Sequence, residues 1–360
     1  MSSLSFKGQG FDRMGKDILR GGIVSCGAIA VISHMPVWRA MKGVEIVAAC
    51  DRNESAAAAM AKRFSVPRSY QDLSYMLEKE SLDFIDICTP PDTHALLSIQ
   101  AMEAGLNVLV EKPMAVSLSE ADDMIAASRR HGIKLCVVHN FLFTPVVQEA
   151  KSLVSKGAIG DLIAVEVRSL DRRDGALSKR GHWCHTLPGG IFGEYAPHSV
   201  YLEWAFLGEI HSIKAVSRKT SEFPWVDADE LRVLVEAERG LGSFTVSCNS
   251  HNKSFEMDIF GTKGRLHLDN HALSMTRSRL RGNRTDELVL DQLYLSGQQL
   301  VGAVSSFVMA ALGRRWYKVG HQALMQGFVR SISDNIEPPV PGEDGRETIR
   351  VLEDIWKQIG

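Results

Sequence analysis

Through the first 140 residues, short apolar runs alternate with stretches of helical spacing. Gly22-Ile23-Val24-Ser25, Val44 to Cys50, Phe84 to Cys88, Val108-Leu109-Val110 and Leu135 to Val138 are too short for helices and read as strands. Between them, Ala57 to Phe64 is a good helix former, and a helix from about Asp92 to Ala104 stops at Gly105. Ser117-x-x-Glu120 forms a capping box for a further helix that ends near Gly132. This rhythm predicts βαβ units on a parallel sheet.

Past about residue 160 the pattern changes. Leu162 to Val167, Ile210 to Val216, Leu231 to Glu236, Gly242 to Cys248, Phe255 to Phe260 and Arg265 to Leu268 alternate as strands, with hairpin turns at Arg239-Gly240 and Lys263-Gly264. They predict an antiparallel sheet in a second domain. Residues 294–319 read as partly helical. Leu324, Phe328 and Ile332 mark a helix from His321 to Asn335, ended by Glu337-Pro338-Pro339, and a last helix runs to Gly360.

Composition narrows the class. The chain has 360 residues, 45% hydrophobic and 23% charged, which fits an ordinary soluble protein of about two domains. A formal net charge of -2 gives no footprint for nucleic acid or an anionic membrane. The basic start (Lys7, Arg13, Lys16, Arg20) lacks the apolar run of a secretory signal, and the apolar stretch from Leu300 to Leu312 is too short to span a bilayer. Six cysteines without a CxxC motif suit buried thiols in a reducing compartment, so a cytoplasmic location is expected.

Two places carry candidate chemistry. The first is the turn Ser25-Cys26-Gly27-Ala28-Ile29-Ala30, close to the GxGxxA pattern of a dinucleotide site. Gly27 is the glycine that lets backbone approach a pyrophosphate, and Ala30 is small enough for helix–strand packing. Ser25 stands where the first glycine is usual. Asp51 closes the second strand, placed to accept hydrogen bonds from an adenosine ribose, which favours NAD over NADP. Arg52 beside it can stack on adenine or meet a 2′-phosphate, so NADP stays open. The second place is Glu111-Lys112-Pro113, just past an apolar strand, where open α/β sheets bind ligands.

With these stretches go Asp86-Ile-Cys-Thr-Pro-Pro-Asp-Thr-His94, Gly189-Gly190 through His198, and Pro338-Pro-Val-Pro-Gly342. Together they resemble the glucose-fructose oxidoreductase / inositol dehydrogenase (Gfo/Idh/MocA) family over nearly the whole chain. The resemblance implies an α/β fold: an N-terminal Rossmann doubly wound parallel sheet plus a C-terminal α+β domain with a large open, mostly antiparallel sheet. The expected divisions are an extension over 1–20, a Rossmann domain over 21–142, a substrate and oligomerisation domain over 143–340, and a C-terminal helix over 341–360 that packs back on the Rossmann domain. A homodimer or homotetramer through the second sheet is implied as well.

By the same resemblance, Thr89, Pro90, His94 and Asn140 border the cofactor, Glu111 lies near the nicotinamide ribose, and Lys112 lies by the substrate hydroxyl. His198 matches the family's acid/base histidine, with Glu194 in place of the usual Asp four residues earlier. On a helix that spacing puts the two on one face, where Glu194 would orient the imidazole. Leu142 stands where the family often has Arg.

The implied function is an NAD(P)-dependent oxidoreductase acting on a secondary hydroxyl or carbonyl of a sugar, polyol or related small molecule. Lys112 would polarise the oxygen and His198 would move the proton. Arg172 and Trp183 are candidate substrate contacts. His182-Trp183-Cys184-His185 lacks a partner cluster, so no metal is expected there. The alternatives are an NAD-dependent glycosidase of the same family, and a non-catalytic dinucleotide-binding sensor or scaffold. Arg314-Arg315-Trp316-Tyr317-Lys318 reads as a solvated helix end.

Overall fold

The computed structural model describes residues 18–279, 284–312 and 316–360. The N-terminal extension up to residue 17, and Arg314-Arg315 of the basic run, lie outside the described residues.

Six strands form a parallel sheet: β1 (Leu19–Val24), β2 (Val44–Cys50), β3 (Arg68–Tyr70), β4 (Phe84–Ile87), β5 (Asn107–Val110) and β6 (Leu135–Val137). Their order is β3-β2-β1-β4-β5-β6, so the chain reverses direction of winding between β1 and β4. That reversal opens a crevice at the carboxyl ends of the strands. β3 and the helix after it, α3 (Leu73–Lys79), are absent from the sequence reading. β3 is an edge strand of three half-exposed or exposed residues, so it has no apolar run to betray it.

The connecting helices are α1 (Met35–Ala40), α2 (Glu54–Phe64), α4 (His94–Glu103) and α5 (Leu118–His131). α5 shows how local signals survive. Ser117 accepts from Glu120 N at its cap, Glu120 Oε2 accepts from Val116 N, and Gly132 closes the helix at φ 64°.

After α6 (Pro145–Ser155) comes β7 (Leu162–Arg172), and then α7 (Phe192–Leu207). The remaining strands are β8 (Ile210–Arg218), β9 (Glu230–Ala237), β10 (Gly240–Ser250), β11 (Ser254–Gly261), β12 (Gly264–Asp269) and β13 (Ser274–Arg279). The second sheet runs β13-β12-β11-β7-β10-β9-β8. It is mixed, because β7 and β10 pair in parallel at its centre while every other pair is antiparallel. α7 covers one face, packed on β7 and β10. In β9 buried Leu231, Val233, Val235 and Ala237 alternate with Arg232, Leu234 and Glu236, which face outward.

Three helices close the chain: α8 (Thr285–Ala311), α9 (Trp316–Ser333) and α10 (Gly342–Ile359). α9 returns to the first sheet, where fully buried Phe328 meets Phe84 edge-on at 5.8 Å. α10 lies against α5, β6, α7 and β8, and so touches elements of both sheets. Gln358 bonds the β8 backbone at Ala215 N and Ile213 O, while Glu353 accepts from Leu118 N. No helix among the described residues is long and apolar enough to cross a membrane.

Phe328→Ala is expected to lower the unfolding free energy by about 3–5 kcal/mol, since it empties a closed aromatic contact. Denaturant unfolding checks this; a loss below about 1 kcal/mol would mean α9 is not docked as described.

Candidate active site

The turn after β1 is built around Ser25, which takes φ 78°, a left-handed conformation that glycine adopts freely. Its Oγ accepts from Gly27 N at 3.3 Å, so the side chain that replaces glycine helps hold the turn. A Cβ on Gly27 would meet only Ser25 Oγ, at 3.4 Å, which leaves the outer side of the turn open. Gly27, Ala28 and Ile29 are exposed at the start of the helix, where first-turn amides have no intrahelical acceptor. Asp51 is bound into the same turn: Oδ2 accepts from Cys26 N at 2.7 Å and Oδ1 from Asn53 N at 2.9 Å. Burial, with Asp51 and Cys50 nearby, pushes the Cys26 thiol up to about 12. Arg52 is exposed beside it.

The helix from this turn passes through a π turn, Ala30–His34, before α1. Pro36 explains the widening. It has no N–H to give the carbonyl of Ile32, and its ring needs the space. The wider turn sets His34 in the interior, fully buried. His34 Nδ1 lies 2.8 Å from Asp86 Oδ2, and Nε2 lies 2.8 Å from Glu111 Oε1. Trp38 Nε1 donates to Asp86 at 2.7 Å. His321, from α9, reaches Glu111 Oε1 at 3.6 Å, and Asn140 stands 3.5 Å behind its Nδ1.

Burial alone would push the His34 pKa down, but contact with the Asp86 carboxylate, aided by Cys88, carries it well above the ordinary value. Burial would likewise raise Glu111, yet hydrogen bonds from His321 and His34 hold it well below the usual range. The result is a buried chain of alternating charge. Among the described residues, two donor sets could hold a metal ion: His34, Glu111 and His321, and His34, Asp86 and Cys88. Here those donors are engaged with one another as ion pairs and hydrogen bonds.

Lys112, next along, is mostly buried. Its Nζ sits 2.8 Å from Glu194 Oε1 and donates at 2.8 Å to Glu194 O, at the start of α7. Burial raises the Glu194 carboxyl, with Lys112 opposing. One turn on, His198 Nδ1 is 2.7 Å from Tyr201 Oη. The His198 ring stacks on Phe141 at 4.3 Å, with Phe255 edge-on. Burial lowers its pKa well below the ordinary value; the Lys112 ammonium lowers it further and Glu111 opposes. Burial and the Lys112 ammonium thus both favour the neutral ring.

The expected pairing of Glu194 with His198 does not form. The longer carboxylate turns to Lys112, and Tyr201 takes the imidazole nitrogen instead. His94 is held by backbone on both sides. It is fully buried, with Nδ1 2.9 Å from Pro113 O and Nε2 2.8 Å from Thr89 O, so it ties the loops after β4 and β5 together. Thr89 and Pro90 are half-exposed on that loop. Asn140 is buried beside His321. Arg172 is exposed and its Nε donates to Asp174 Oδ1 at 2.8 Å. Trp183 is half-buried on the turn Trp183–Thr186, and its neighbour Cys184 feels both Glu194 and Lys112. Leu142 is buried.

Sequence reasoning missed His34, Asp86, His321 and Tyr201. Asp86 stood inside a matching motif without a role, and Tyr201 follows His198 by one helical turn.

The chain matches the model described as "Oxidoreductase family, NAD-binding Rossmann fold" over residues 19–139 and the GFO/IDH/MocA C-terminal domain over 147–267. It belongs to the Gfo/Idh/MocA family and is an NAD-dependent oxidoreductase. Among its relatives, D-apiose dehydrogenase of Paraburkholderia graminis is 37% identical over 141 residues, 39% of this chain and 37% of that protein. The trans-1,2-dihydrobenzene-1,2-diol dehydrogenase of Mus musculus is 28% identical over 68% of this chain and 73% of its own. Among solved structures, the WlbA dehydrogenase of Bordetella pertussis, in complex with NADH and UDP-GlcNAcA, superposes with a TM-score of 0.80 at 21% identity, covering 96% of each chain.

The buried ion chain makes stability depend on pH. His34's folded value lies above the ordinary 6.5, so its contribution is fully present below about that pH and is lost as pH rises through the folded value. Glu111's folded value lies below 4.5, so its contribution is present above that pH and is lost as pH falls through the folded value. The advantage of the natural protein over His34→Gln is expected to be about 3–5 kcal/mol between the two ordinary values and to shrink as pH rises through the folded His34 value. Urea unfolding across that range tests it, and a gap that widens as pH rises would contradict the cationic His34.

Proposed function

We propose that this oxidoreductase moves a hydride between NAD and a secondary hydroxyl, or the matching carbonyl, of a sugar, polyol or related small molecule. One observation carries the reading: Lys112 Nζ, anchored on Glu194, lies beside His198 at the carboxyl end of β5, in the crevice that the Gly27 turn opens. The turn suits NAD. Its outer side is clear, exposed first-turn amides suit a pyrophosphate, and each Asp51 oxygen keeps a lone pair for a ribose hydroxyl.

When bound, the nicotinamide supplies the redox chemistry by accepting or returning the hydride. The chain binds, orients and polarises. Glu111 stays anionic under His34 and keeps the Lys112 loop in place. Lys112 stabilises charge on the reacting oxygen, and Trp183 walls the substrate side. Relatives named for D-apiose and for a dihydrodiol support a polyhydroxylated substrate.

NADH and NADPH titrations followed by a panel of sugars and polyols, read by NADH absorbance, test this. Turnover is expected, and Lys112→Met is expected to cut kcat by about 10²–10³ while NADH affinity holds within a few-fold. Binding without turnover across the panel would favour a sensor, and glycoside cleavage without net NADH would favour the glycosidase.

We also infer a homo-oligomer through the outward face of the second sheet and α8. That face exposes Val216, Leu234 and Leu241 among charges of both signs, Glu166, Arg168, Arg232 and Glu236, which a second copy related by a two-fold axis can match. α8 turns its polar stripe inward: Gln298 bonds Arg277 N and O on the edge strand β13, and Ser306 bonds Ala272 O. Its apolar side, with Leu300, Val301, Val304 and Phe307, faces out. Leu300→Glu combined with Phe307→Glu is expected to give a monomer by light scattering; an unchanged mass would remove α8 from the interface.

A further inference from the structure

The hydroxyl of Tyr201 lies 2.7 Å from Nδ1 of His198. It is fully enclosed, and its other polar neighbour among the described residues is Phe141 N, at 3.2 Å. A backbone N–H can only donate, so Phe141 occupies a lone pair of the phenol oxygen. The phenol hydrogen then has one acceptor in reach, Nδ1 of His198. Were Nδ1 protonated instead, two donors would point at one oxygen, and the phenol hydrogen would be buried with no acceptor, which is unfavourable.

We propose that Tyr201 is a positioning residue that donates to Nδ1 of His198 and thereby keeps the remaining ring hydrogen on Nε2, so that His198 acts as a hydrogen-bond donor to the substrate oxygen and not as the base. This rests on the hydride-transfer reading above. The ring cannot easily turn over to escape, because it is stacked at 16° on Phe141 and met edge-on by Phe255. Its Nε2 makes no hydrogen bond to the described residues, and the side chain is half-buried, which leaves that nitrogen for a ligand. The ionisable groups that face the ring are Lys112 and Glu111 from the loop after β5, His139 after β6 and His321 on α9. On its own helix stand Tyr201 and, one turn back, Glu194, which is bound to Lys112. Lys112, His139 and His321 favour the neutral ring, as burial does, and Glu111 alone opposes.

Two donors, Lys112 Nζ and His198 Nε2–H, then serve one oxygen. That arrangement favours a carbonyl or a developing alkoxide. In alcohol oxidation Nζ first passes a proton to Glu194 Oε1, 2.8 Å away; the neutral amine then takes the alcohol proton as the hydride would leave the carbon for a bound nicotinamide, and the restored ammonium faces the carbonyl as a donor beside His198. Glu194, raised by burial, is suited to hold the proton it receives.

The test begins with two-bond ¹H–¹⁵N correlation of histidine-labelled full-length protein near neutral pH, with the His198 signals assigned by their loss in His198→Gln. A neutral ring protonated on Nε2 is expected. Protonation on Nδ1, or an imidazolium, overturns the proposal. This measurement needs no substrate, so it stands apart from any failure of the dehydrogenase reading. Tyr201→Phe should replace that signature with a tautomer mixture; an unchanged spectrum would show that Tyr201 does not set it. In turnover, His198→Gln keeps a side-chain donor, and kcat/KM is expected to fall only about tenfold with the acid limb of the pH profile retained. A loss of about 10²–10⁴ together with disappearance of that limb is what a general base would give, and would overturn the donor role.

Discussion

The imidazolium of His34, enclosed between the carboxylates of Asp86 and Glu111, is the constraint on which the site depends. A buried charge is tolerated only when paired and hydrogen-bonded. Here one cation satisfies two anions from adjacent strands. Asp86 lies in β4, Glu111 follows β5, and His34 hangs from the turn that begins the cofactor crevice. Three segments far apart in sequence are thereby locked at the reversal point of the sheet, with α9 adding His321.

What this lock holds in place is the residue after Glu111. Lys112 N bonds the Glu111 carboxylate, and Lys112 Nζ reaches across to Glu194 on α7. The Lys112–Glu194 ion pair joins the loop after β5 to α7, and His198 sits one turn along the same helix. The electrostatics follow from enclosure. Burial depresses His198 and raises Glu194, in each case disfavouring the charged form. An imidazole and a carboxyl whose neutral forms burial favours thus stand on one helix near one lysine.

Much of this was legible in the chain. The parallel sheet showed through continuous apolar strands, and α5 through its capping box and Gly132, because these are local signals set by neighbouring residues. The Gly27 turn and Asp51 were likewise visible from spacing. β3 and β13 were not, since edge strands of polar residues have no apolar period to display. Glu194 shows the limit most clearly. Helical spacing placed it on the His198 face, but whether it bonds His198 or Lys112 depends on a side chain that arrives from another sheet.

The sequence by itself determined the order of the apolar strands and the capped helices, the two kinds of sheet, the cofactor turn and the motif lysine. Each of these rests on residues near one another along the chain, where periodicity and turn chemistry act. Only the tertiary structure decided the partners of the buried charges: His34 with Asp86 and Glu111, Lys112 with Glu194, His198 with Tyr201. Those pairs span up to 82 positions, and the need to satisfy a polar group away from water acts on whatever folding brings within reach.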